Sequence, residues 1–246
     1  MLSKSEINLL KSLQQKKFRR EHGLFIVEGH KSITEFINSA YKTEAVYYTP
    51  SFDSKVLKLS QKINFCEISV TELEKVSSLK TPQDALALIN IPKWPVLQHE
   101  QLKGKFSLVL DGIQDPGNMG TIIRIADWFA IGNIICSEDT VDAYNPKVVQ
   151  ACMGSLARVK VHYTSLTEFL PEIKLPVFGA LLDGENIYST DFGKEGLIVM
   201  GNEGNGLRPE VQRMVNRAIT IPRIGKAESL NVAIATALFC SEITRK

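Results

Sequence analysis

Three polar blocks in the second half of this 246-residue chain hold the side chains best suited to chemistry. The first, from Asp111 to Asp127, reads DGIQDPGNMGTIIRIAD and offers Asn118, Gly120 and Arg124. The second, from Ile198 to Leu207, reads IVMGNEGNGL and sets Glu203 among glycines. The third, from Ile219 to Leu238, reads ITIPRIGKAESLNVAIATAL and puts Ser229 and Asn231 at the opening of an apolar helix. Each block starts as a short apolar run that reads as a buried strand, breaks at Gly, Asn or Pro, and continues toward a helix. Ligands of α/β sheets gather at such strand-to-helix turns, so three of them imply one composite pocket. Glycines there let a ligand approach the backbone closely. Arg124 is surrounded by Ile122, Ile123, Ile125 and Ala126, so its guanidinium should emerge beside a buried wall, as a cation placed to grip a phosphate or an oxygen. Plainer roles compete. Asn118 and Ser229 both suit a helix N-cap, Arg124 suits a solvated face, and Glu203 suits a tight surface turn.

Common nucleotide and metal signatures are absent. Gly201, Gly204 and Gly206 give GxxGxG rather than the GxGxxG of a dinucleotide turn. The Gly225–Lys226 pair has Thr220 where a phosphate loop needs glycine, and Ala227 where it needs Ser or Thr. No HExxH occurs, and His22, His30, His99 and His162 are scattered, so no metal is expected. Cys66, Cys136, Cys152 and Cys240 form no CxxC pair and sit among apolar neighbours, which predicts buried reduced thiols.

The elements that must carry these blocks fall into two groups. Residues 3–18 read as a helix, 24–27 as a strand, 30–38 as a helix, 45–48 and 65–68 as strands with a helix over 52–60 between them. Thr71 with Glu74 suits a capping box, and 85–89 closes a small α/β domain over 1–92. Residues 93–105, with two prolines in the stretch from 90, read as a linker. From 106 to 246, strands at 106–110, 133–136, 159–163, 177–181, 197–200 and 218–221 alternate with helices at 120–130, 146–154 and 229–244. That alternation predicts a mainly parallel sheet covered on both faces.

Hydrophobic content of 44% and charged content of 23% describe an ordinary globular chain with a net charge of only +2. No apolar run is long enough to span a bilayer and the first residues lack a signal-peptide core, so a cytoplasmic protein is expected. Charge is nonetheless uneven. Lys11, Lys16, Lys17, Arg19 and Arg20 cluster near the start, either as a solvated helix face or as a patch that displaces counterions from a polyanion.

The order NxGxxxRxA, GNExxGL and IPxxGxxxSLNVAxAxA resembles the SpoU/TrmH-type RNA ribose 2′-O-methyltransferases of the SPOUT superfamily. Asn118, Gly120, Arg124 and Ala126 match the first motif. Gly201, Asn202, Glu203, Gly206 and Leu207 match the second. Ile221, Pro222, Gly225, Ser229, Leu230, Asn231, Val232 and Ala233 match the third. Residues 8–95, with Arg19, Arg20 and LFIVEGHKSITEF, resemble the N-terminal substrate-binding domain of many members, a ribosomal-protein-like RNA-binding fold.

The resemblance implies a trefoil-knotted α/β domain, a homodimer with composite active sites, and S-adenosylmethionine as cofactor. It implies that Gly201, Asn202, Gly206, Ile221 and Leu230 hold that cofactor. Arg124 would assist at the 2′-oxygen, with Glu203 orienting it or the substrate. Ser229 and Asn231 would bond Arg124, the ribose or the cofactor, and Asn118 would position the loop or the substrate. Lys16, Lys17, Arg19 and Arg20 would meet RNA phosphates. Ribosomal RNA is expected ahead of transfer RNA, no metal is required, and a catalytically silent RNA-binding or assembly protein of the same fold is the alternative.

Overall fold

The computed structural model describes residues 1–52 and 63–245. Beyond Phe52, the helix expected over 52–60 lies outside them. Contacts divide the chain into one unit of Met1–Lys93 with Asp142–Ala157 and another of Trp94–Val141 with Arg158–Lys246.

The first unit is built on strands β1 (Leu24–Glu28), β2 (Thr43–Tyr48), β3 (Asn64–Glu67) and β4 (Ala85–Asn90), in the order β1-β4-β2-β3. β4 runs antiparallel to β1 and β2, and β2 runs parallel to β3. One face packs Leu10, Leu13, Ile26, Tyr47, Leu73 and Leu86 into a core. Where the sequence predicts one N-terminal helix over 3–18, the structure has two, α1 (Lys4–Ser12) and α2 (Lys16–His22). Ser3 and Glu6 form the capping box that starts α1. The chain breaks after it, and the carbonyls of Leu13 and Gln14 instead accept from Arg19 Nη1 at 2.8 and 2.9 Å. Arg19 therefore does not belong to the exposed basic patch. It is 2% exposed and also gives Nε and Nη2 to Asp142 at 3.0 and 2.7 Å. Helix α4 (Val70–Val76) follows α3 (His30–Ile37). Its capping box is Ser69 with Glu72, not Thr71 with Glu74. Both pairs have the right spacing, but only Glu72 also accepts from the Leu2 N–H, at 2.7 Å. These backbone donors, from Ser69 first and then Leu2, hold its carboxyl down at about 2.

Residues 142–157, expected inside the second domain, belong to the first unit. Tyr144 packs on Phe25 with ring centroids 4.8 Å apart. Gly154, at φ +88°, brings the backbone against Glu35 and Ser32, where a Cβ would lie 3.0 Å from Glu35 Cγ.

The second unit carries β5 (Phe106–Leu110), β6 (Asn133–Cys136), β7 (Lys160–Tyr163), β8 (Val177–Asn186), β9 (Gly196–Met200) and β10 (Arg217–Thr220). They form a six-stranded sheet in the order β10-β8-β9-β5-β6-β7, with every neighbouring pair parallel. β5 and β9 are adjacent, although the chain leaves β5 toward β6 and reaches β9 from β8. That reversal opens a crevice at their carboxyl ends. Leu102, Val109, Ile135, Phe169, Leu170, Leu197, Val199 and Leu207 fill the core on one face. The remaining α-helices among the described residues are α5 (His99–Leu102), α6 (Pro116–Trp128), α7 (Pro146–Ala151), α8 (Leu166–Glu172), α9 (Pro209–Gln212) and α10 (Val232–Thr244), of which α6 and α10 pack together. α6 starts four residues earlier than its periodicity suggests, because Asp115 caps it and Pro116 occupies its first position. α10 starts three residues later, because Asn231, not Ser229, is the cap. Ile234 and, just ahead of the helix, Leu230 are exposed, while Val232, Ala233, Thr236, Phe239 and Cys240 are buried. A helix apolar on nearly all sides gives no unique face from spacing alone.

Candidate functional site

The site grows from the ends of β5 and β9. The N–H of Asp111 donates to the carbonyl of Met200 at 2.9 Å, so the two strands finish level. Beyond β9 the chain turns tightly. Asn202 and Gly206 exchange two backbone hydrogen bonds of 2.9 Å, and Asn202 Oδ1 accepts from the N–H groups of Gly204 and Asn205 at 2.9 and 3.2 Å. Gly201 is required by proximity: a Cβ there would lie 2.3 Å from the Gly206 carbonyl carbon. Asn202 Nδ2 reaches back to the Gly112 carbonyl at 2.7 Å, which ties the loop after β9 to the loop after β5.

A second tie is ionic. Asp111, 1% exposed, accepts from the backbone N–H of Arg208 at 2.8 Å and from its Nε at 2.7 Å. The Arg208 guanidinium, held mainly by this carboxylate, has its pKa raised above the ordinary value. Sequence reasoning gave neither residue a role. The available signal was an aspartate closing an apolar strand run, with an arginine just past the glycine loop.

Three side chains, one from each polar block, then meet. Asn118 Nδ2 donates to Glu203 Oε1 at 2.7 Å, and Asn118 Oδ1 accepts from Asn231 Nδ2 at 2.9 Å. Asn231 Oδ1 accepts from the N–H groups of Ala233 and Ile234, so one amide caps α10 and joins the chain of contacts. Asn118 is held from below by Asp115, whose carboxylate takes its backbone N–H at 2.7 Å.

Beside this trio lies a cleft of about 870 Å³, within the usual range for small-molecule sites. One wall is an irregularity in the sheet. β10 pairs Ala218 with Gly179 but Ile219 with Glu185, so residues 180–184 of β8 bulge out of register. Ala180–Asp183 from that bulge line the cleft, as do Gly201, Asn202, Glu203 and Gly206 from the loop after β9, and Ile221, Ser229 and Leu230 from the loop before α10. From 221 to 230, among the described residues, no backbone group pairs with another backbone group. Leu182, Ile224 and Leu230 leave large apolar surfaces exposed around it. The cleft therefore presents free main-chain donors and acceptors beside apolar side chains. That suits a ligand with a flat heterocycle and polar substituents.

Arg124 stands apart from the trio. It is exposed on α6, does not line the cleft, and makes no hydrogen bond or ion pair with the described residues. The side chains expected to hold it are engaged elsewhere: Glu203 and Asn231 both bond Asn118. Ser229 is exposed in the loop. Lys16, Lys17 and Arg20 are exposed on the first unit's α2, and Arg19 is buried beneath it. Among the described residues no three His, Cys, Asp or Glu side chains converge to hold a metal ion, and no helix is long and apolar enough to cross a membrane. The four cysteines are free. Burial pushes the Cys136 thiol up, and that of Cys240 to about 12, so both stay protonated at neutral pH.

Comparison with known proteins agrees with this geometry. Residues 105–241 match the family model described as the SpoU rRNA Methylase family, and residues 4–87 match the MRM3-like substrate binding domain. The 23S rRNA (guanosine(2553)-2′-O)-methyltransferase RlmP of Bacillus subtilis is 28% identical, over 93% of this chain and 91% of its own. A TrmH-family protein from Porphyromonas gingivalis superposes with a TM-score of 0.88 at 36% identity, covering 99% of this chain and 98% of that one. An rRNA methyltransferase from Sinorhizobium meliloti, solved with AdoMet bound, gives a TM-score of 0.89 at 27% identity, covering 100% and 97%.

Proposed function

We propose that this chain, which belongs to the SpoU rRNA methylase family, transfers the methyl group of S-adenosylmethionine to a ribose 2′-hydroxyl of ribosomal RNA. The observation that carries this is the meeting of Asn118, Glu203 and Asn231, one from each polar block, beside a single cleft lined by Gly201, Ile221 and Leu230. The residues fit the cofactor. Gly201, Asn202 and Gly206 form a rigid turn with no side chain at its closest approach, and the backbone from 221 to 230, without backbone partners among the described residues, offers donors and acceptors. Bound there, S-adenosylmethionine supplies a methyl group already activated on a sulfonium.

The protein's work is then mainly alignment. Asn118 fixes Glu203 and Asn231 relative to one another, so the loop after β9 and the start of α10 hold their positions when RNA arrives. Glu203 and Ser229 face the cleft and orient the ribose. Arg124 keeps its charge, since a guanidinium does not deprotonate in proteins. Its part is to stabilise the 2′-oxygen as its proton leaves to a neighbouring phosphate or water. Because Arg124 lies outside the lining of its own cleft, this role is best met in a homodimer, where one protomer's Arg124 serves its partner's cleft. A trefoil knot through the loops after β9 and β10 accounts for how they cradle one ligand.

RNA is required because DNA lacks the hydroxyl. Lys16, Lys17 and Arg20 on α2 supply phosphate contacts, without Arg19. The Bacillus relative's name favours ribosomal over transfer RNA. The protein would act in the cytoplasm, where that RNA is assembled. Ribose methylation mapped in cells with and without this chain is the test. Loss of a 2′-O-methyl group from ribosomal RNA is expected. Loss confined to transfer RNA would move the substrate, and an unchanged map in both would refute the proposal.

A further inference from the structure

Among the described residues that line the cleft, Arg223 is the one cation, set against the carboxylates of Asp183, Glu203 and Glu228. Arg223 is exposed, and so is Lys226, three residues further along the same loop. Neither forms an ion pair with the described residues, whereas three other arginines of the unit do: Arg208 with Asp111, Arg217 with Glu185, Arg158 with Asp127. The only bond from Arg223 among the described residues is a long one, Nη1 to the Ala227 carbonyl at 3.4 Å, which closes its own loop. Between the two cations Ile224 is fully exposed.

We propose that Arg223 and Lys226 form a phosphate-binding lip that seats an RNA strand across the mouth of the cleft. This rests on the methyl-transfer reading above and adds positioning residues to it. The argument is chemical. A ribose 2′-oxygen sits on the carbon next to the one bearing the 3′-phosphate. No 2′-oxygen reaches the cleft without a phosphodiester arriving beside it. That phosphate approaches a rim holding three carboxylates, and repulsion in a partly desolvated crevice opposes it unless a free cation offsets it. An unengaged guanidinium matches phosphate through its fork of N–H donors, and a nearby ammonium adds a second point of charge. Exposed Ile224 gives the sugar or base an apolar surface to cover. The other anion that could meet Arg223 is the cofactor's own carboxylate. Lys226 does not line the cleft, however, so the pair suits a ligand crossing the opening better than one lying inside it.

The test uses the full chain and the double variant R223A/K226A. Calorimetry gives the S-adenosylmethionine Kd. Fluorescence anisotropy across a salt series gives binding to a single-stranded RNA oligonucleotide and to ribosomal RNA. Cofactor affinity should change by less than about twofold, while RNA binding weakens about tenfold at low salt. The slope of log K against log salt should fall by about 1.4, the value for two lost phosphate contacts on a single strand. R223K, which keeps the charge, should retain more RNA affinity than R223A. An unchanged RNA Kd and salt slope would overturn the proposal. So would a tenfold loss of cofactor affinity, which would assign Arg223 to the cofactor carboxylate. Failure of the parent reading looks different: the wild-type chain itself would bind no cofactor, and the RNA arm would still decide the lip.

Discussion

The Asp111–Arg208 tie predicts an asymmetry that plain contact loss does not. Asp111 is buried with its side chain 0% exposed, while the Arg208 side chain is 43% exposed. Arg208→Ala strips a buried carboxylate of its guanidinium and leaves it the backbone N–H alone. Breaking a buried pair from that side costs about 3–5 kcal/mol. Asp111→Asn keeps an acceptor for that N–H, and the released guanidinium is half in water already, so the cost is about 1–2 kcal/mol. For a chain of this length each kcal/mol moves the unfolding midpoint by about 2–4 °C. Arg208→Ala should therefore lower Tm by roughly 6–20 °C and Asp111→Asn by roughly 2–8 °C. The double variant should be milder than the sum, because both changes remove one interaction. Thermal unfolding followed by circular dichroism, with S-adenosylmethionine affinity on the same samples, reads all three. Equal losses, or a larger loss for Asp111→Asn, would refute the claim that the buried carboxylate is the costly partner.

Other outcomes follow from local geometry. Gly201→Ala drives a methyl into the Gly206 backbone and should abolish cofactor binding, whereas Gly204→Ala, with its nearest neighbour 3.6 Å away, should be nearly silent in the same titration. Arg19→Ala should destabilise the first unit by about 3–5 kcal/mol in denaturant unfolding; replacing Lys16, Lys17 and Arg20 together by Gln should leave stability unchanged but weaken RNA binding in a filter assay. Burial holds the His162 imidazole down at about 4, with Lys160 adding to the effect. Its folded pKa lies below the ordinary value of about 6.5, so the stability linked to its neutral form is present above that value and is lost as pH falls toward 4. His162→Gln should flatten that acid-side loss in a pH series of unfolding midpoints.

Much of the second unit is legible in the sequence because its strands are continuous apolar runs. β5 and β6 fall on the expected residues, and all six strands lie where expected to within a few positions, except that β8 runs on to Asn186. Helix ends are less legible, since several residues can cap and tertiary contacts choose. Asp115 precedes the expected start of α6, and Asn231 caps α10 although Ser229 is also a good cap by type. Arg19 shows the limit of charge counting. Its neighbours Lys16, Lys17 and Arg20 are exposed, but Arg19 alone faces inward, where carbonyls at a helix break and Asp142, 123 residues away, satisfy it. That long separation is also why residues 142–157 could not be placed by local pattern. The motif residues were legible as a set, but their bonding was not: Asn118, rather than Arg124, is what Glu203 and Asn231 hold.

The most direct measurement is methyl transfer followed to its atom. The purified chain is incubated with methyl-labelled S-adenosylmethionine and ribosomal RNA from cells lacking it. The RNA is then digested to nucleosides and separated. Label in a 2′-O-methylnucleoside, absent when Arg124→Ala replaces the wild type although the cofactor still binds, is the expected result. Label on a base, or no label despite bound cofactor, would contradict the account.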